Sequence, residues 1–249
     1  MEYIVGSGWF CGGWGYRYAH LRYDTFARTP EFFTLWHTLV DRYLAPEKIL
    51  IVDAASPEPV PPCADKRLEV VRAVKNLGPF LDTKKYFCGA TNAILTAASY
   101  ALYNEADYFV YLEQDALISG QGIIEEAVRN MKKNRISFGE KRNSPDNPYP
   151  TEQSLIIVSQ EFLPEFLFRV TSLCRKYSDK QMVPELKFYH LFKDDVDYLP
   201  FGYGRDRPIN WNERYLYVQH FAGDELDCLL RREKLSRPVP DKREKTVYV

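Results

Sequence analysis

The 249-residue chain has no stretch near the ~18 consecutive apolar residues that a membrane-spanning helix needs, so no span is expected. It has no charge excess, with 33 Lys and Arg against 34 Asp and Glu. That removes the basic surplus that commonly marks duplex-binding proteins, and no nucleic-acid partner is expected. Its five cysteines, Cys11, Cys63, Cys88, Cys174 and Cys228, are odd in number and never form a Cys-x-x-Cys pair. They suggest neither a disulfide framework nor a zinc knuckle and read as reduced thiols in a cytosol-like compartment. The opening MEYIVGSGWFCGGWG lacks a basic segment followed by a long apolar one, so no secretory signal is read there and a cytoplasmic location is expected. The same stretch lacks the Gly-Lys-Ser/Thr ending of a phosphate loop and is not a Gly-x-Gly-x-x-Gly turn running into a helix. Histidine is scarce: His20, His37, His190 and His220 are all there is.

What the chain does have is 45% hydrophobic and 15% aromatic residues, enough for a substantial core without metals or cross-links. Tyr3-Ile4-Val5 reads as a short buried strand running into a glycine-rich loop, GSGWFCGGWGYRY. PEFFTLWHTLVDRYL reads as a helix with Thr29 as N-cap and Pro30 at its first position. KILIVDAAS reads as a buried parallel strand with Asp53 at its carboxyl edge, and LEVVRAV as another strand. A small-residue helix from Cys88 leads into the strand of DYFVYLEQDALI, and GIIEEAVRNMKKN reads as a further helix. This alternation predicts a Rossmann-like first half: an α/β fold with a mostly parallel sheet, helices on both faces, and Asp53 and Asp115 on one rim.

The second half is less regular. SLIIVS reads as a strand of unassigned direction, EFLPEFLFRVTSLCRKY and PELKFYHLF as helices, and VDYLPFGYGRDRP and RYLYVQHF as strands. Residues 1–230 are expected to form one domain and 231–249 a basic, proline-containing arm. Within that arm Arg231, Arg232, Lys234, Arg237, Lys242, Arg243 and Lys245 are either solvated or a peripheral contact for anionic lipid or a charged glycan.

The chemistry concentrates at Glu113-Gln114-Asp115, where two acids leave the end of an apolar strand. Unpartnered buried carboxylates are costly, so these acids imply exposure, a hydrogen-bonded cap, or a bound cation, and oxygen ligands favour Mg2+ or Mn2+. Glu185 opens a helix after Pro184, where an acid also complements the helix dipole; Asp194, Asp195 and Asp197 are nearby alternatives. Arg205 and Arg207 lie on a glycine-flanked loop, either as phosphate clamps or as surface charges. Trp9, Trp14 and Tyr16 either stack on a ligand or pack in the core. His37, inside a helical pattern, is read as structural.

The order of ILIVDAAS, NLGPF, GATNAILTAASYAL and YFVYLEQDALI resembles the GT-A glycosyltransferases, especially the broad family of inverting enzymes that use nucleotide-diphosphate sugars. The resemblance covers roughly residues 3–130 and, loosely, 150–222. It implies that Asp53 binds nucleobase or ribose, that Gly89 and Asn92 approach the nucleotide-sugar, and that Asp115 and His220 hold Mn2+ or Mg2+. Glu113 stands where the family usually has aspartate and is assigned to the ribose or to the cation through water. Arg205 or Arg207 would clamp the diphosphate or an anionic acceptor, and Glu185 would be the general base of an inverting transfer from a nucleotide-diphosphate sugar, UDP-sugars being favoured, to a glycan or other hydroxyl acceptor. A sugar-phosphate nucleotidyltransferase and a non-catalytic carbohydrate-binding protein are the alternatives.

Overall fold

The computed structural model describes residues 1–12, 25–78, 86–140 and 149–238. The expectations placed on Trp14, Tyr16, His20, Lys242, Arg243 and Lys245 lie outside these residues.

Strand β1 (Tyr3–Trp9) is longer than its apolar start, because the glycines read as a loop belong to the strand. The reason is a helix packed against it. A Cβ on Gly6 would stand 2.5 Å from the Ala97 Cβ, and one on Gly8 would stand 3.0 Å from the Ala93 Cβ. A 3-10 turn, Thr25–Arg28, then precedes α1 (Pro30–Tyr43), whose first turn is capped by Thr29 Oγ1 accepting from Phe32 N. Next come β2 (Lys48–Asp53), β3 (Leu68–Arg72), α2 (Gly89–Tyr103), β4 (Tyr108–Leu112), β5 (Ala116–Ser119), α3 (Ile123–Arg129), β6 (Ile136–Glu140) and β7 (Thr151–Ser159). The chain continues through α4 (Leu163–Lys176), α5 (Pro184–Phe192), β8 (Leu216–Gln219) and α6 (Glu225–Glu233).

The main sheet has six strands in the order β3-β2-β1-β4-β7-β6. β3, β2, β1 and β4 are parallel; β7 runs antiparallel to both β4 and β6. Alternating residues of the buried strands face two cores. Ile49, Ile51, Val110 and Leu112 pack toward α1, α3 and α6, whereas Leu50, Val52, Phe109 and Tyr111 pack toward α2, α4 and α5. Helices on both faces explain why β2 and β4 read as continuous apolar runs. β5 and β8 form a separate antiparallel pair.

Two expectations for the later chain need correction. VDYLPFGYGRDRP is not a strand: it makes only isolated bridges, at Val196 and Gly204, since its prolines and positive-φ Gly202 and Gly204 prevent a ladder. The arm does not begin at 231, because α6 runs to Glu233 and buries Leu226, Leu229, Leu230 and Glu233. In addition β5 and β6, which the sequence did not announce, are both buried along most of their length.

Candidate active site

Strand order turns back at β1, whose neighbours β2 and β4 run in the same direction on either side, and such a switch point opens a crevice beyond the carboxyl ends of the strands. The register puts Trp9 beside Asp53. On the other side the Gln114 amide pairs with the backbone of Phe10: Oε1 accepts from Phe10 N at 2.6 Å and Nε2 donates to Phe10 O at 3.0 Å. Asp53 and the Glu113-Gln114-Asp115 turn thus flank the end of one strand. Gly89, at the start of α2, joins the same edge, since a Cβ there would lie 3.4 Å from the Gly78 carbonyl oxygen and 4.0 Å from the Ala54 Cβ. Asn92 follows in that first helical turn, half-buried.

The Asp53 carboxylate, expected to meet nucleobase or ribose, is instead buried and engaged within the fold. Oδ1 accepts from Ser56 N at 2.8 Å and Oδ2 pairs with Arg72 Nη1 at 2.5 Å, so both oxygens close the turn after β2 onto β3. Trp9 is 2% exposed and meets Phe33 edge-on at 5.3 Å, which makes it core.

At the end of β4, Glu113 N donates to Ser154 O and Ala116 N to Glu113 O, a tight turn that sends the chain into β5. β5 pairs with β8 so that Ala116 faces Gln219, and this register delivers Gln219 and His220 to the acids. Gln219 Nε2 donates to Asp115 Oδ1 at 2.9 Å and also to Glu113 Oε2. Asp115 Oδ2 takes Arg28 Nη2 at 2.9 Å and stands 3.6 Å from His220 Nε2. His220 adopts φ 56°, a left-handed conformation unusual for a non-glycine.

The two acids differ electrostatically. Burial, with Asp115 alongside, pushes Glu113 well above the usual carboxylate range. Burial would also raise Asp115, but Arg28, His220 and Gln219 hold it well below the usual carboxylate range. Burial lowers His220 against the pull of Asp115.

A second charged group completes the site. Glu185, in the first turn of α5, pairs through Oε1 with Arg205 Nη1 at 3.0 Å. Arg205 Nε donates to Glu152 Oε2 at 3.0 Å, and its guanidinium lies 5.3 Å from the centre of the Tyr149 ring. Burial opposes the Arg205 charge, but Glu152, Glu185 and Glu113 together raise its pKa, so this cluster and the acid pair share one field. Glu152 is reached because β7 runs antiparallel to β4 and therefore starts at the rim.

Arg207 departs from its expected role as a diphosphate clamp. Its guanidinium pairs with Glu225 and donates to the carbonyls of Gly204, Asp206, Gln219 and His220, which makes it a staple for the loop leading into α6. The alternative acids are at the opposite end of the sheet. Asp195 pairs with Arg135 and Arg169, and Asp197 N bonds Ile136 O at the start of β6. His37 is structural as expected, paired with Asp65 at 3.0 Å. Arg28, Glu152 and Gln219 escaped the sequence reading; only the position of Gln219 beside His220 in YVQHF offered a signal.

Among the described residues no three His, Cys, Asp or Glu side chains stand in a ready-made metal cage. Glu113, Asp115 and His220 nonetheless suit a divalent cation in kind. Two carboxylates converge on one amide nitrogen with an imidazole beside them, an oxygen and nitrogen set that accommodates Mn2+.

No family model and no curated protein matches the chain in sequence. Its fold does match solved structures. The galactosyltransferase LgtC in complex with donor and acceptor sugar analogues is 11% identical, with a TM-score of 0.57, over 97% of this chain and 98% of that one. An active-site mutant of LgtC gives 0.53 at 12% identity, over 82% and 75%. The mannosyltransferase PcManGT from Pyrobaculum calidifontis, in complex with GDP-Man and Mn2+, gives 0.53 at 12% identity, over 93% of this chain and 60% of that one. The six-stranded, mostly parallel sheet and these likenesses give the chain the GT-A fold of glycosyltransferases.

Proposed function

We propose that the protein transfers a sugar from a nucleotide-diphosphate donor to a hydroxyl acceptor, with a divalent cation held by Asp115 and His220 and approached by Glu113. The observation that carries this reading is the convergence of those three side chains beyond the carboxyl end of β4, with Glu185 and Arg205 in the same electrostatic cluster. The complexes of LgtC with donor and acceptor analogues and of PcManGT with GDP-Man and Mn2+ support it by likeness of fold.

A bound Mn2+ or Mg2+ would supply charge stabilisation to the departing diphosphate. The chain's own residues do the rest. Gly89 and Asn92 line the approach of the nucleotide-sugar at the start of α2, and Asp53 keeps the β2 edge of the crevice closed onto β3. Arg205 fixes the Glu185 carboxylate through Oε1, and Oε2 takes the acceptor hydroxyl proton in a transfer with inversion. No helix among the described residues is long and apolar enough to cross a membrane.

The test is incubation with UDP- and GDP-sugars, Mn2+ and simple glycan acceptors, reading nucleoside diphosphate release and the anomeric configuration of the product. Turnover with inversion, abolished in an Asp115→Asn variant that circular dichroism shows to be folded at the assay temperature, supports the reading. Retention removes Glu185 from the role of base. Pyrophosphate release from a nucleoside triphosphate and a sugar phosphate would establish a nucleotidyltransferase instead, and carbohydrate binding without turnover a lectin-like protein.

A further inference from the structure

Arg28 reaches the acid pair from outside the rim. It ends the 3-10 turn before α1, on a stretch whose backbone is tied to the β1–β4 seam: Cys11 Sγ donates to Arg28 O at 2.8 Å, and Gln114 Nε2 donates to Ala27 O at 3.2 Å. From that anchored backbone its guanidinium extends to Asp115 Oδ2 at 2.9 Å. The Arg28 side chain is 30% exposed and that of Asp115 7%, so a partly solvated cation covers a buried carboxylate. It also lies on the same carboxylate oxygen that faces His220, where a metal shared by the two residues would bind.

A guanidinium matches carboxylate and phosphate equally well, as a flat fork with paired donors. A buried carboxylate stripped of its partner is strongly destabilised, so Asp115 needs a cation whether or not a ligand is present. We propose that Arg28 has two stations. In the donor-free protein it neutralises Asp115, and when a metal-bound diphosphate arrives it gives up Asp115 and pairs with the diphosphate oxygens. The inference rests on the glycosyltransferase reading for the identity of its ligand. Its consequence is thermodynamic: Arg28 competes with the metal ion taken alone and assists the metal and diphosphate taken together, so each ligand strengthens the other.

The experiment uses the full chain with Mn2+ and inorganic pyrophosphate, which probes the diphosphate without committing to a base. Free Mn2+ is followed by electron paramagnetic resonance and pyrophosphate binding by calorimetry. Arg28→Ala should bind Mn2+ alone about tenfold more tightly than the unaltered protein and pyrophosphate in the presence of Mn2+ about tenfold more weakly, one ion-pair contact being gained in the first case and lost in the second. Arg28→Lys, which keeps the charge, should retain the competition. Where Arg28→Ala does not fold, judged by circular dichroism, Arg28→Gln replaces it, since its amide can still donate to Asp115. Unchanged or weaker Mn2+ binding in the folded variant, while the unaltered protein binds Mn2+ and Asp115→Asn does not, overturns the Arg28 proposal and leaves the metal site standing. Absence of Mn2+ binding in the unaltered protein and in every variant overturns the metal site and the Arg28 proposal together.

Discussion

Glu152, a carboxylate with no exposed surface, accepts a 3.0 Å hydrogen bond from Arg205 Nε, and the same guanidinium reaches Glu185 through Nη1. The planar fork spans two acids that arise on different elements, the first on β7 and the second on α5. A lysine is a point charge on a flexible stem and cannot serve both with fixed geometry. Arg205→Lys should therefore reduce kcat by about tenfold or more while changing KM little, the loss expected when a base is misplaced. Arg205→Ala also leaves Glu152 buried without its guanidinium and should cost about 3–5 kcal/mol in chemical denaturation. Steady-state kinetics beside urea titrations separate the two effects. A fall in kcat for Glu185→Gln below about a hundredth of the original would match the weight of a general base.

The helix that carries Glu185 is held by a buried ion pair. Lys187 Nζ donates to Asp179 Oδ1 at 2.6 Å, both side chains are at most 1% exposed, and Asp179 Oδ2 accepts from Cys88 N at 2.6 Å. One carboxylate thus couples α5 to the start of α2, where Gly89 and Asn92 lie. Asp179→Asn strands a buried ammonium and should lower stability by about 3–5 kcal/mol, whereas Asp179→Asn combined with Lys187→Met should recover much of that loss. Urea unfolding of the single and double variants measures it. A double variant no more stable than the single one would show that the capped Cys88 amide, and not the ion pair, sets the coupling.

The parallel half of the sheet was legible because β2 and β4 are buried on both faces and their apolar runs end in acids at the rim. Glu113, Asp115 and His220 lie together because β5 and β8 pair in the register that brings Ala116 opposite Gln219. The partners that tune them were not legible. Arg28 and Gln219 stand 87 and 104 residues from Asp115 in the chain, and Arg205 stands 53 from Glu152, so no local spacing announces these contacts. The bounds of β1 were misjudged for a related reason. Glycine weakens an isolated strand, but here it admits a helix that lies elsewhere in sequence.

That close approach is itself testable. A Cβ on Gly6 would fall 2.5 Å from the Ala97 Cβ and 2.9 Å from Phe109 Cε2, both in a packed core. Gly6→Ala should cost about 1–3 kcal/mol, the usual range for overpacking. Gly6→Ala with Ala97→Gly removes the nearer clash and should regain part of it, less the roughly 1 kcal/mol that glycine costs inside a helix. Melting temperatures of the three proteins decide the matter, and additivity of the two substitutions would mean that α2 does not rest on β1 at this point.

Asp65 ties the segment before β3 to α1. Its carboxylate accepts from Arg67 N at 2.9 Å, Arg67 Nε at 3.0 Å and Arg67 Nη2 at 2.7 Å, and His37 Nε2 lies 3.0 Å away. The Arg67 hydrogen bonds outweigh the opposing effect of burial and, with help from His37, hold the Asp65 pKa well below the usual carboxylate range. A group whose folded pKa is depressed contributes stability above its unfolded pKa, about 3.9 for aspartate, and that contribution is lost as pH falls toward the folded value. Asp65→Asn should therefore be less stable than the unaltered protein by about 1–2 kcal/mol at pH 7, a charged hydrogen bond being the main loss. The gap should narrow as pH falls below about 4, because protonation then removes from the unaltered protein what the substitution removes at every pH. Urea midpoints at pH 7, 4 and 3 measure the gap, and a difference that stays constant across that range would show that the charge of Asp65 contributes nothing to holding α1 against β3.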